Sequence, residues 1–120
     1  MDNCIFCKII NKEIPSKIIY EDDVVMAFLD INPEHSGHTL AIPKKHYKDL
    51  DEIDLETLNH IMKIAKKIKI LLEEKIGAKG IKLIQNNGTL QEVKHYHLHI
   101  IPDCKVKDIP VDEVFDLLTK

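Results

Sequence analysis

His95-Tyr96-His97-Leu98-His99-Ile100-Ile101 alternates three imidazoles with aromatic and aliphatic side chains. In an extended chain successive side chains point to opposite faces. His95, His97 and His99 therefore share one face, their Cα atoms roughly 6.6 Å apart from one to the next. Tyr96, Leu98 and Ile100 point the other way, toward a core. Three imidazoles on one face of an apolar strand are costly to bury unless they have partners or line a cleft. Two chemistries use such a row. Histidines at i and i+2 can share a metal ion such as zinc. Alternatively, a largely neutral imidazole can attack phosphorus directly. The row alone does not choose between them.

Around this segment the chain reads as an α+β domain with runs of strands about one long helix. Residues 4–12 form a short helical turn. Lys17–Tyr20 and Val24–Asp30 make a strand pair across the polar turn Glu21-Asp22-Asp23. His38–Ile42 is a third strand, Ile81–Gln85 a fourth, and Val93–Ile101 a fifth, ended by Pro102. The long helix starts at an Asp54 cap and runs to about Ile76. Its apolar positions Leu55, Leu58, Ile61, Met62, Ala65, Ile68, Leu72 and Ile76 follow a spacing of three and four, and Gly77 stops it. A short helix follows over about 110–118, with Pro110 in its first turn. No repeat and no linker is visible, and residues 1–120 read as a single domain.

Composition narrows the function. With 120 residues, 44% hydrophobic and 31% charged, the chain can bury a core. No apolar run approaches the ~20 residues of a membrane span. The N-terminus lacks a basic region followed by a cleavage site, which predicts a cytoplasmic protein whose cysteines are reduced thiols or metal ligands rather than disulfides. A net charge of −3 argues against a general nucleic-acid binder. All 17 basic residues are lysine, so no guanidinium fork exists for phosphate. Any anion must be held by lysine, histidine, polar side chains or backbone N–H groups.

The histidine segment resembles the signature of the histidine triad (HIT) family. The likeness extends through Cys4-Ile5-Phe6-Cys7-Lys8-Ile9, Ile14-Pro15, Tyr20-Glu21-Asp22, Ala27–Pro33, Gly37-His38-Thr39-Leu40, Pro43-Lys44-Lys45-His46 and Asn86-Asn87-Gly88, in order, and is similar to the Hint-like branch. It implies a HIT-like fold with a sheet of about five antiparallel strands, and a homodimer whose sheets join. It implies an enzyme acting at the α-phosphate of a purine nucleotide conjugate: a phosphoramidate, an adenylate or a dinucleoside polyphosphate. By the resemblance His97 is the nucleophile, and His99 contacts the phosphate. Asp30 binds the ribose hydroxyls. Phe6, Ile9, Phe28 and Ile31 line the base pocket, while Asn86 and Gln91 belong to the phosphate side. From their types alone Phe6, Ile9, Phe28 and Ile31 are core, and Asp30 is a strand-end carboxylate.

Cys4-x-x-Cys7 has the spacing of half a structural zinc site. The resemblance completes it with His46 and His95, giving two thiolates and two imidazoles around zinc. Cys104 is left as a lone thiol, His38 serves packing or a local hydrogen bond, and His60 is a surface residue. The segment Gly88-Thr89-Leu90-Gln91-Glu92-Val93 departs from the family. It is about two residues short, with leucine before the glutamine and Glu92 where several members carry serine. Two other readings stay open: a non-catalytic nucleotide- or zinc-binding module, and a zinc hydrolase using all three strand histidines.

Overall fold

The computed structural model describes residues 3–103 and 109–120; Cys104 lies outside them. The elements are α1 (Ile5–Ile10), β1 (Ile18–Glu21), β2 (Val25–Leu29), β3 (Thr39–Pro43), α2 (Leu55–Ile76), β4 (Ile81–Ile84), a single 3₁₀ turn (Gly88–Leu90), β5 (Leu98–Pro102) and α3 (Val111–Thr119). The strands form one antiparallel sheet in the order β1-β2-β3-β5-β4.

Every residue of β2 and β3 is buried, because both faces of the sheet centre are covered. On one face Val25, Ala27, Leu29, Ala41, Leu98 and Ile100 pack against the apolar stripe of α2. On the other, Met26, Phe28, Leu40 and Ile42 pack against Phe6 and Ile9 of α1. β3 pairs with β5 at Leu40↔His99, so His99 lies on the α1 face, and Leu98 and Ile100 on the α2 face.

α2 begins where Asp54 accepts from the Thr57 N–H at 3.3 Å and ends at left-handed Gly77. Its buried stripe is Ile61, Ile64, Ala65, Ile68 and Leu72. This corrects two expected core positions, since Leu55 and Met62 are exposed, and adds Ile64. Ile64 is fully buried. Ile64→Ala is expected to lower stability by about 3 kcal/mol, read as a denaturant midpoint with an unchanged slope.

The fifth strand is shorter than expected. Only Leu98–Pro102 pairs, so His95 and His97 precede it. β3 ends at Pro43, whose ring nitrogen has no hydrogen to offer a longer ladder. Residues 93–97 instead leave the sheet. The Tyr96 N–H donates to the Tyr47 carbonyl at 2.7 Å. That departure carries His95 away from His99 and toward α1.

His60 is more than a surface residue. Its Nε2 lies 2.6 Å from Asp22 Oδ2, and the Tyr20 hydroxyl donates to the same oxygen at 2.7 Å. Burial opposes charge on Asp22, but Tyr20, His60 and the N–H groups of Val24 and Val25 outweigh it and hold the carboxyl well below its usual range. The cluster ties the β1–β2 turn to α2.

Candidate active site and metal centre

Cys4 caps α1, its Sγ accepting from the Cys7 N–H at 3.4 Å. Phe6 and Ile9 anchor the helix to the sheet, which turns both thiols toward the loop after β3 and the segment before β5. Cys4 Sγ lies 3.4 Å from His95 Nδ1, and Cys7 Sγ lies 3.6 Å from it. Cys7 Sγ to His46 Nδ1 is 3.3 Å, and the two Nδ1 atoms are 3.1 Å apart. A tetrahedral zinc with ordinary bond lengths needs about 3.6 Å between sulfur and nitrogen and about 3.3 Å between nitrogens. The four side chains already hold nearly those spacings.

The protonation pattern also fits a cation. His95 Nε2 lies 2.9 Å from the Pro43 carbonyl, which can only accept. The ring proton is therefore on Nε2, and the Nδ1 lone pair faces the thiols. Burial lowers His95 to about 4, keeping it neutral. Burial and the neighbouring Cys4 thiol push Cys7 up to about 11, so that thiol keeps its proton until a cation displaces it.

A cleft of about 290 Å³ opens beside this cluster. His97 and His99 line it with Asp30, His38, Asn86 and Glu92. His97 Nδ1 lies 2.8 Å from the His95 carbonyl, so Nδ1 carries the hydrogen and Nε2 the free lone pair. Phe6 and His99 pack edge-on against the His97 ring, with centroids 5.1 and 4.9 Å away.

His99 is set by a chain of donors. The Glu34 N–H donates to His38 Nδ1 at 3.0 Å, which leaves the neutral His38 hydrogen on Nε2. His38 Nε2 then donates to His99 Nδ1 at 2.9 Å, and the His99 hydrogen sits on Nε2. His38 can hold this place because Gly37 adopts φ +93° against α2, where a Cβ would come within 2.7 Å of Ile76 Cδ1. Asp30 Oδ2 is 3.6 Å from His38 Nε2, and its Oδ1 accepts from the Asn32 N–H. Asp30, His38 and His99 are close enough to share a cation. The Glu34 donor argues against it, because a ligating His38 Nε2 would need its hydrogen on Nδ1, facing another hydrogen.

Burial, with His97 and His38 alongside, lowers His99 to about 4. The unfolded chain takes up this proton near the ordinary value of 6.5, so between those values it binds more protons than the folded chain. His99 therefore makes stability fall as pH drops from 6.5 to 4, with no further change above that window. Denaturant midpoints across it are expected to decline, and less steeply in His99→Gln.

The predicted residues fall into three groups. Asp30, Asn86, His97 and His99 border one cleft. Cys4, Cys7, His46 and His95 form the second cluster. Phe6, Ile9 and Phe28 are buried in the core beneath α1, while Ile31 is 74% exposed. Gln91 does not border the cleft; its Nε2 donates to the Lys48 carbonyl at 2.7 Å and anchors the loop. The three strand histidines do not converge on one point, because their Nδ1 atoms face the thiols, the His95 carbonyl and His38 respectively. His38 makes the local hydrogen bond expected of it, accepting from the Glu34 N–H, and adds an unexpected contact to His99. Its signal is strand parity: with Leu40 opposite His99, His38 falls on the same face.

The family model for the HIT domain matches residues 11–106. A HIT-like protein of Methanocaldococcus jannaschii is 48% identical over 124 residues, spanning 92% of this chain and 95% of its own. An adenosine 5′-monophosphoramidase of Saccharomyces cerevisiae is 46% identical over 106 residues, spanning 82% of this chain and 61% of its own. The crystal structure of a zinc-bound histidine triad family protein from Mycobacterium smegmatis superposes with a TM-score of 0.92 at 33% identity, covering 98% of this chain and 91% of that one. Fold, histidine segment and kinship agree, and the chain belongs to the HIT family.

Proposed function

We propose that the chain is a nucleotide hydrolase or nucleotidyltransferase acting at the α-phosphate of a purine nucleotide conjugate. The observation that carries this reading is the His97 tautomer. Its Nδ1–H is committed to the His95 carbonyl, so the Nε2 lone pair is the one available in a cleft that also holds His99 Nε2–H. The Nε2 lone pair forms a bond to phosphorus. The bond to the leaving atom breaks, and its electron pair stays with that atom, which takes a proton from water at the open mouth. The new imidazolium charge is met by the His95 carbonyl. Water then forms the next bond to phosphorus while the phosphorus–nitrogen bond returns its pair to Nε2 and one water proton goes to solvent. His99 Nε2–H and Asn86 stand at the phosphoryl oxygens throughout. Asp30 receives the ribose hydroxyls, and the exposed Ile31 next to it meets the base.

Zinc held by Cys4, Cys7, His46 and His95 is structural in this reading, since four protein ligands leave no open position. It clamps α1 to the segment carrying His97. The whole chain acts as one HIT domain in the cytoplasm. It forms a homodimer through β4, an edge strand with one unpaired ladder edge and a 45% exposed Leu83. Chromatography of adenosine phosphoramidate and diadenosine tetraphosphate reactions tests the activity: AMP from either supports it. Nucleotide binding without product from zinc-loaded protein would favour a binding module, with the short Gly88–Glu92 loop as the cause.

A further inference from the structure

Among the described residues, the cleft that must receive a phosphate is lined by three carboxylates, Asp30, Glu34 and Glu92, and by no lysine. Two of its histidines add little positive charge, since burial keeps His38 and His99 lowered. Glu34 has its own counterion, Lys82 Nζ at 2.9 Å. Glu92 has none among the described residues. The nearest candidate along the chain, Lys94, donates instead to the Gly88 carbonyl at 2.6 Å.

Glu92 also has a defined end of the cleft. It borders both the cleft and a neighbouring cavity walled by Cys4 and His46. It thus lies beyond His97, on the α1 side, while Asp30 and His38 lie beyond His99. With the ribose at Asp30, Glu92 stands across the phosphorus, where the leaving group departs. Beside it Leu90 lines the same cleft and is 74% exposed. An aliphatic surface next to an unpaired carboxylate matches an alkyl chain that ends in an ammonium. A polyphosphate leaving group would instead bring several more negative charges to that carboxylate.

We propose that Glu92 is the specificity-determining residue for the leaving group, selecting nucleotide conjugates whose departing amine carries an ammonium on an aliphatic stem, against polyphosphate chains. The inference rests on the proposed α-phosphate chemistry and names its substrate class.

The test uses zinc-loaded protein and two AMP conjugates joined through a phosphorus–nitrogen bond, one to diaminopentane and one to pentylamine. They differ in a single terminal charge. Wild type is expected to favour the diaminopentane conjugate by about tenfold in kcat/KM. Glu92→Gln should bring that ratio to about one and Glu92→Asp should keep most of it, while Glu92→Lys should raise turnover of diadenosine tetraphosphate. Because Glu92 is exposed, these variants keep the fold. A wild-type ratio near one, or a ratio that Glu92→Gln leaves intact, overturns the proposal. If no conjugate is turned over, the proposed reaction fails but the selection is still decided. Calorimetric affinities for the two conjugates should then show the same tenfold preference, and equal affinities overturn it.

Discussion

His97→Ala is expected to reduce AMP release from adenosine phosphoramidate by about ten-thousandfold, while the chain still folds and binds AMP. The size of the loss follows from the geometry. His97 Nδ1 is spent on the His95 carbonyl at 2.8 Å, so Nε2 is the atom left to attack. No neighbour can replace it. His99 holds its hydrogen on Nε2 because His38 donates to its Nδ1 at 2.9 Å. His95 turns its lone pair away from the cleft, toward the thiols. The ring is buried against Phe6, so truncation leaves a small cavity. His97→Asn fills more of that space and should be equally inactive, which separates lost chemistry from lost packing. Single-turnover assays with excess protein measure both variants. Activity within tenfold of wild type would remove His97 as the nucleophile.

Replacing Cys4 and Cys7 together by serine is expected to take bound zinc from one ion per chain to none and to lower the melting temperature by about 15 °C. An ion that binds only the folded chain at a thousandfold excess over its dissociation constant contributes about 4 kcal/mol, and a domain of this length shifts about 4 °C per kcal/mol. The melting temperature of chelated wild type should match the double variant, assigning the change to the ion. Turnover should fall as well, because His95 belongs to the thiol cluster and its carbonyl orients His97. Metal analysis by mass spectrometry reads the first effect. Zinc retained at full occupancy would point instead to a site built on histidines alone.

Much of this architecture can be read from local pattern. The α2 stripe, the Asp54 cap and the Gly77 stop are short-range signals, and they place the helix within a residue. The alternation of His97, Leu98, His99 and Ile100 gives the correct faces, because strand parity is fixed by the backbone. Long-range register was not legible. Nothing near residue 95 announces that Pro43 will stand opposite and end the ladder, so the sequence pattern starts the strand several residues early. The same gap concealed the link from His38 to His99, which rests on the β3–β5 register. The Gln91 side chain reaches the Lys48 carbonyl, a contact that depends on where two separate loops meet and leaves no local signal.

The stereochemical course at phosphorus tests the two-step reaction most directly. Each in-line displacement inverts the phosphorus centre, so attack by His97 followed by attack by water restores it. Turnover of a P-chiral adenosine phosphorothioamidate in isotopically labelled water, with the product configuration read by phosphorus NMR, is expected to show retention. Inversion would mean that water attacks the substrate directly, and it would contradict a nucleotidyl-His97 intermediate.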